Sequence, residues 1–459
     1  MLTSVRGGWE VWQPWRVRPL SYFTLWLNYQ LGGPSPFGYH LVNWLLHLGS
    51  VWLAWRTLAR LLSANGALLA TVIFALHPLQ TESVAYVFAR GTLLCGFCCW
   101  AALDAWTAGR PWRAVAFQTL ALLAKEEAVA LPVVIALLEW RRARSLLEWK
   151  PLAAMLAVTT AAGARSFVAG TMLAGSGVLS QSGVTPLDYL ATQSYVLLRY
   201  AGEILLPVAI NFDPDIPLLA SWLGGSLWLI WIALAALAIK HFAQGGVWLL
   251  AALAFLSPTS TILPIQDLSA DRRLYLALGA LGAALGTWKP GVPRKASLVL
   301  GLLLLTLSLA RSFTWLTEES LWRDTVAKSP NKSRPRVQLA RAVLPQEALA
   351  LLDGLQDPLA LGERGRVLME LGRPADALPV FGQLLAAAPG DPAALTNRGA
   401  ALAALGQTEA SQADFRRALE KDPCFYPAWR NLHQLGSADK PDAQCRFSPE
   451  QSGALEGRR

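Results

Sequence analysis

A chain of 459 residues in which 54% are hydrophobic and only 15% charged, with a mean hydropathy of +0.35, is too apolar for an ordinary soluble protein of that size. Its net charge of +9 comes mostly from short basic loops between apolar runs, which fits anchors against anionic headgroups and argues against a nucleic-acid partner.

Apolar runs of about 20 residues suffice to cross a bilayer, and in chain order they fall near 39–60, 66–83, 90–108, 151–172, 221–240, 246–263, 273–288 and 295–313. Two shorter arms, Trp112 to Ala124 and Ala128 to Trp140, meet at Lys125, Glu126 and Glu127. Their length suggests a re-entrant hairpin whose polar tip must face protein or water. With both arms inserted the chain makes roughly ten crossings. Arg56 and Arg60, Arg110 and Arg113, the run Arg141 to Lys150, Lys240, and Lys289 to Lys295 share one side. By the positive-inside rule that side is the cytoplasm. The segment before Tyr39, the loop His77 to Arg90, the Lys125 hinge, the loops 173–220 and 264–273 and the whole tail then lie outside. Trp9, Glu10 and Trp12 stand where a cleavable signal would need an apolar stretch.

Beyond Ser329 the chain turns polar and repeats itself. Leu371-Gly372 and Leu405-Gly406 are 34 residues apart, Ala377 matches Ser411, and Pro389 and Pro423 close successive units. A 34-residue period of paired amphipathic helices is that of tetratricopeptide repeats, with weaker stretches on either side acting as caps. Such a stack presents a concave surface suited to a peptide. The expected organisation is all-α: an outer segment 1–38, a polytopic membrane bundle 39–313, a linker and degenerate repeat 314–358, repeats 359–436 and a disordered tail 437–459. Of five cysteines, Cys95, Cys98 and Cys99 lie in an apolar span without metal-ligand spacing. Cys424 and Cys445, outside the cytoplasm, are placed where a disulfide persists, although sequence alone does not bring their backbones together.

Chemistry is expected where polar side chains meet the outer water. His77 and Glu82 close the second apolar run, either as groups facing a cavity or as a helix cap beside Pro78. Lys125 with Glu126 forms the hinge, a phosphate ligand or an internal ion pair. Asp213 and Asp215 lie in an Asp- and Pro-rich turn that serves as base, metal ligand or plain turn. Asp267, Asp271, Arg272 and Arg273 set guanidinium forks beside carboxylates, suited to phosphate or to one another.

The order of these motifs resembles a known family. Arg18-Pro19-Leu20 with Asn28-Tyr29, Gly38-Tyr39-His40-Leu41-Val42-Asn43 with His47, His77-Pro78 with Thr81 to Tyr86 and Arg90, Ala124-Lys125-Glu126, Leu198-Arg199-Tyr200, Pro207 with Asp213, Ser257-Pro258-Thr259-Ser260, Arg272-Arg273-Leu274-Tyr275 and Ser320-Leu321-Trp322 resemble the transmembrane and tetratricopeptide repeat-containing proteins. The resemblance implies a GT-C type glycosyltransferase that moves a mannose-like sugar from a polyprenyl-phosphate donor to Ser or Thr of an acceptor protein outside the cytoplasm. It further implies donor-phosphate ligands at Lys125, Arg199, Arg272 and Arg273, carboxylate assistance from Glu82 or Asp213, and supporting roles for His77, Glu126 and Asp267. No cofactor is assigned, and a divalent metal stays open. In a bacterium the compartment would be the inner membrane with periplasmic repeats, and in a eukaryote the endoplasmic reticulum with lumenal repeats. In the family one more membrane helix and an acidic pair come first; here Met1 falls after both, so a late-called start or a truncated relative is expected. An inactive scaffold that recruits proteins through its repeats is the alternative, and a lipid-linked transporter is disfavoured by the lack of matching broken halves.

Overall fold

The computed structural model describes all residues except 1–8, 10, 14–16, 144–148, 173–183, 261–263, 266, 438, 443, 446 and 456–459. Arg144 and part of the long loop 173–220 therefore lie outside the described residues. The chain divides into two compact units, Met1–Trp315 and Leu316–Arg459. Among the described residues every regular element is helical.

The first unit comprises α1 (Pro19–Gly32), α2 (Pro36–Leu61), α3 (Ala64–Leu76), α4 (Gln80–Ala85), α5 (Arg90–Thr107), α6 (Pro111–Ala124), α7 (Leu131–Ala143), α8 (Trp149–Met172), α9 (Pro186–Leu205), α10 (Ser221–Lys240), α11 (Gly246–Leu256), α12 (Tyr275–Trp288) and α13 (Arg294–Phe313). Proline opens several of them at the first turn, where its missing N–H costs nothing. Three stretches, Val87–Thr107, Ser221–Lys240 and Arg294–Phe313, are long and apolar enough to cross a membrane. The first is largely buried, whereas α10 and α13 turn Trp222, Leu229, Ile232, Val299, Leu302 and Phe313 outward. Apolar faces of that extent suit lipid, since water penalises them.

At the centre α3 packs on α12 and α2 on α5. A Cβ on Gly66 would lie 2.4 Å from Gly286 O, and one on Gly286 would lie 2.3 Å from Gly66 O. Only glycine permits that crossing, as in membrane helices that pack through small residues. Helix α9 corrects the reading of 173–220 as loop. Asp188, Gln193, Arg199 and Glu203 keep it below the hydropathy of a span, yet Tyr189, Val196, Leu197 and Tyr200 bury one face.

The second unit runs α14 (Glu318–Lys328), α15 (Ser333–Ala342), α16 (Pro345–Leu352), α17 (Pro358–Glu370), α18 (Pro374–Ala387), α19 (Pro392–Ala404), α20 (Thr408–Lys421), α21 (Tyr426–Gln434) and α22 (Pro449–Leu455). Gly372 and Gly406 take φ of 68° and 75° at equivalent turns, a left-handed conformation that glycine adopts without strain. Phe381 and Phe415, also 34 apart, are buried at equivalent places in the core. Residues 437–459 were expected to be a disordered tail; their described part instead carries α22, whose Leu455 enters that core, and Cys445, bonded to Cys424 with Cα atoms 5.2 Å apart.

Candidate outer-face phosphate site

Helices α2 and α5 run side by side, so the first unit has two recognisable ends. At one, Arg60 meets Asp104 near the ends of both helices; at the other, Arg90 starts α5. Arg90 is fully buried and donates to Asn43 Oδ1 at 2.6 Å, Asn28 Oδ1 at 3.1 Å and Tyr39 O at 2.9 Å. A buried guanidinium needs such acceptors, and here they tie α1, α2 and α5 together. His47 does similar work. Its Nε2 donates to Ala75 O at 3.1 Å, which requires Nδ1 to accept from the Tyr275 hydroxyl at 3.0 Å.

The same end gathers the charges. The break in α3 before Pro78 leads into α4, which carries Glu82, and the 3-10 turn Asp271–Leu274 carries Arg272. Arg272 Nη1 donates to Glu82 Oε1 at 2.6 Å, its backbone N–H to Glu82 Oε2 at 3.3 Å and Nη2 to Asp267 Oδ2 at 2.9 Å. Glu82 is buried, but Asp267 is 28% exposed and Arg272 22%. The outer side of the fork is thus reachable from solvent. Burial alone would lower the Arg272 pKa, and Glu82 and Asp267 reverse this, so the guanidinium stays charged.

Arg273 turns the other way and donates to Leu268 O at 3.1 Å and Asp267 O at 2.5 Å, which shapes the loop. Arg199 on α9 donates to Ser269 Oγ at 2.6 Å, pairs with Glu203 and stands 3.6 Å from Asp271 Oδ1. His77 has both ring nitrogens engaged: Nε2 donates to Ile204 O at 3.0 Å and Nδ1 accepts from Leu79 N–H at 3.3 Å. It therefore fastens the end of α9 beside Glu203. Asp213 is buried and its N–H donates to Asn211 Oδ1. Its neighbour Phe212 packs edge-on against Tyr86 with ring centroids 5.5 Å apart, and Arg272 lies 6.0 Å from the same Tyr86 ring.

The hinge forms a second cluster. Lys125 pairs with Glu127 at 2.5 Å and donates to Thr92 Oγ1 at 2.8 Å, while Glu126 is gripped by Arg18, whose Nε contributes a 2.9 Å bond. Arg18 holds φ of 55°, a conformation that costs a non-glycine residue energy. Burial lowers the Lys125 pKa, and the charges of Arg18 and Arg272 lower it further against the pull of Glu127.

The sequence reading missed Glu203. Its carboxyl meets that of Asp271, and both are held up, Glu203 to about 8 and Asp271 to about 6, first by burial and then by neighbouring carboxylates. Among the described residues neither Asp271 oxygen accepts a hydrogen bond. A proton shared between the two carboxyls would give each a partner. The spacing of four residues between Arg199 and Glu203 was the available signal. As for a metal, no three His, Cys, Asp or Glu side chains converge among the described residues, and the carboxylates of the mouth lie against arginines. This donor set does not fit a divalent ion.

An apolar groove of about 280 Å³, lined by Leu197, Trp228, Trp231, Ile232, Leu256 and Ser260 among others, opens between α9, α10 and α11. Ser260 donates to Gln193 Oε1, and Gln193 Nε2 donates to Leu268 O, the carbonyl that Arg273 also holds. Its polar end thus connects to the arginine loop.

Residues 13–164 match the family model described as dolichyl-phosphate-mannose-protein mannosyltransferase, and residues 368–435 match a tetratricopeptide repeat model. A protein O-mannosyl-transferase of Caenorhabditis elegans is 27% identical over 359 residues, 71% of this chain and 51% of that protein. The chain is thus similar in sequence to proteins named as O-mannosyl-transferases. Shorter stretches are similar to protein O-mannosyl-transferase Tmtc3 of Drosophila melanogaster, 42% identical over 18% of this chain and 11% of the relative, and to human TMTC3, 35% identical over 17% and 8%. The chain thus spans at most about half the length of these relatives. The mannosyltransferase match includes His77, Glu82, Lys125 and Glu126, while Arg199, Asp213, Asp267, Arg272 and Arg273 lie beyond it.

Proposed function

We propose that the chain is a multi-pass membrane glycosyltransferase that transfers a mannose-like sugar from a polyprenyl phosphate to a Ser or Thr hydroxyl outside the cytoplasm, with the repeats binding the acceptor protein. The observation that carries this reading is Arg272, forked between buried Glu82 and partly exposed Asp267 at the end of the first unit that the positive-inside rule puts outside. The donor phosphate takes Asp267's place on Nη2, with the charges of Lys125 and Arg199 around it while Arg273 shapes the loop through its carbonyls, and its lipid lies in the groove that ends at Ser260. A phosphate on Arg272 stands next to Glu82. In the transfer the bond from the anomeric carbon to the phosphate oxygen breaks, the acceptor oxygen bonds to that carbon, and its proton passes to a carboxylate, Glu82 or Asp213. The arginines stabilise the departing phosphate dianion. Glu126 holds the hinge through Arg18, and His77 positions α9.

The test is binding of polyprenyl-phosphate mannose to the reconstituted full chain. Arg272→Lys keeps the charge but loses the fork, and weakens binding about tenfold, the worth of one charge-assisted hydrogen bond. Unchanged affinity in both Arg272→Lys and Lys125→Ala would remove the phosphate from this site.

A further inference from the structure

The opposite end of the first unit holds a pocket that the transfer reaction does not use. It lies about 25 Å away along α5, at 1.5 Å per residue. Its volume is about 410 Å³, and Arg60 and Leu61 of α2, Thr107 of α5, and Leu138, Arg141 and Arg142 of α7 line it. Two carboxylates stand nearby. Asp104 takes Arg60 at 2.7 Å and Arg56 at 3.3 Å, and buried Glu139 accepts the indole N–H of Trp106 at 3.0 Å. Arg141 makes one long bond, 3.4 Å to Ala243 O, and Arg142 meets no carboxylate among the described residues. Four arginines thus face two acids, and the surplus positive charge surrounds a concave space.

The rim says what kind of anion fits. Trp52, Trp55 and Trp140 are exposed around these arginines, with the Arg56 guanidinium 4.6 Å from the Trp52 ring. Outward tryptophans beside arginines mark headgroup depth, and Leu61 and Leu138 form apolar walls. We propose that this pocket binds one anionic phospholipid of the cytoplasmic leaflet, its phosphodiester among Arg60, Arg141 and Arg142 and its acyl chains along Leu61 and Leu138. Basic pockets between membrane helices on that side take such headgroups. The site does not depend on the transfer reaction.

Native mass spectrometry of the full chain in neutral detergent, with phosphatidylglycerol or phosphatidylcholine of matched chains, tests it. One phosphatidylglycerol is retained about tenfold better than phosphatidylcholine. Arg142→Glu, at an exposed position where folding is not at stake, abolishes that preference, and Arg142→Lys restores part of it. Lys289→Gln with Arg294→Gln, on another loop of the same side, leaves it intact. Equal retention of the two lipids overturns the proposal, as does an equal loss in the Lys289 and Arg294 variant, which would mean diffuse charge only. Displacement of the lipid by millimolar sodium phosphate also overturns it and assigns the pocket to free phosphate.

Discussion

Arg90, Asn28, Tyr39, Asn43 and His47 carry much of the resemblance in sequence, yet in the fold they bond to one another or to backbone and build the scaffold. Arg90→Met would leave two buried amide oxygens without a donor, at about 1–3 kcal/mol each, and a fall in the melting temperature of the purified chain with no change in donor affinity of the remaining folded fraction checks this. Glu82 and Arg272 stand out singly in the sequence, but not as partners. Glu82 and Arg272 are 190 residues apart, and no local pattern announces such a pair. Glu203 was overlooked because a carboxylate four residues after an arginine reads as a solvated helix pair; burial against Asp271 changes its chemistry. Its pKa is raised in the fold, so the native state holds the proton more tightly than the unfolded chain. Stability is therefore full below the unfolded value of about 4 and declines as pH rises toward and through about 8. Melting temperatures should fall between about pH 5 and 8 and level off above, and Glu203→Gln should flatten that slope; an unchanged slope would deny the shared proton.

Among the elements, those with a strong period or a long apolar run were readable. Stretches expected at 90–108, 221–240 and 295–313 are helices over Arg90–Thr107, Ser221–Lys240 and Arg294–Phe313. The 34-residue period gave the paired helices of the tail. Helix α9 was missed because its polar residues face the charge cluster and dilute the apolar signal. The run expected at 66–83 breaks after Leu76, since Pro78 follows and the residue before a proline avoids helical backbone. Close helix crossings leave no sequence period at all. Gly286→Ala sets a methyl group 2.3 Å from Gly66 O and should cost about 1–3 kcal/mol as overpacking does, read as a lower melting temperature; an unaltered melt would contradict the crossing. In the second unit, Cys445→Ser releases a 21-residue closure worth about 3 kcal/mol on the chain-entropy scale. Limited proteolysis of the full chain should then cut near α22 sooner than in wild type.

For the whole molecule, the two units differ in surface: one turns apolar helix faces outward, the other has a polar surface and its own core. The change from apolar to polar composition along the chain is the signal for that difference, while the number of crossings depends on how short helices such as α3 and α11 sit against lipid, which hydropathy does not decide. The proposed reaction moves a sugar from a lipid phosphate at Arg272 to a protein hydroxyl. It is tested most directly by mannosyl transfer from polyprenyl-phosphate mannose to a Ser/Thr peptide in proteoliposomes of the full chain. Wild type should turn over, Glu82→Gln should lose about a hundredfold with donor binding retained, as for removal of a general base, and Arg272→Lys should bind the donor about tenfold more weakly and lose turnover with it. Turnover that survives both substitutions unchanged would contradict it.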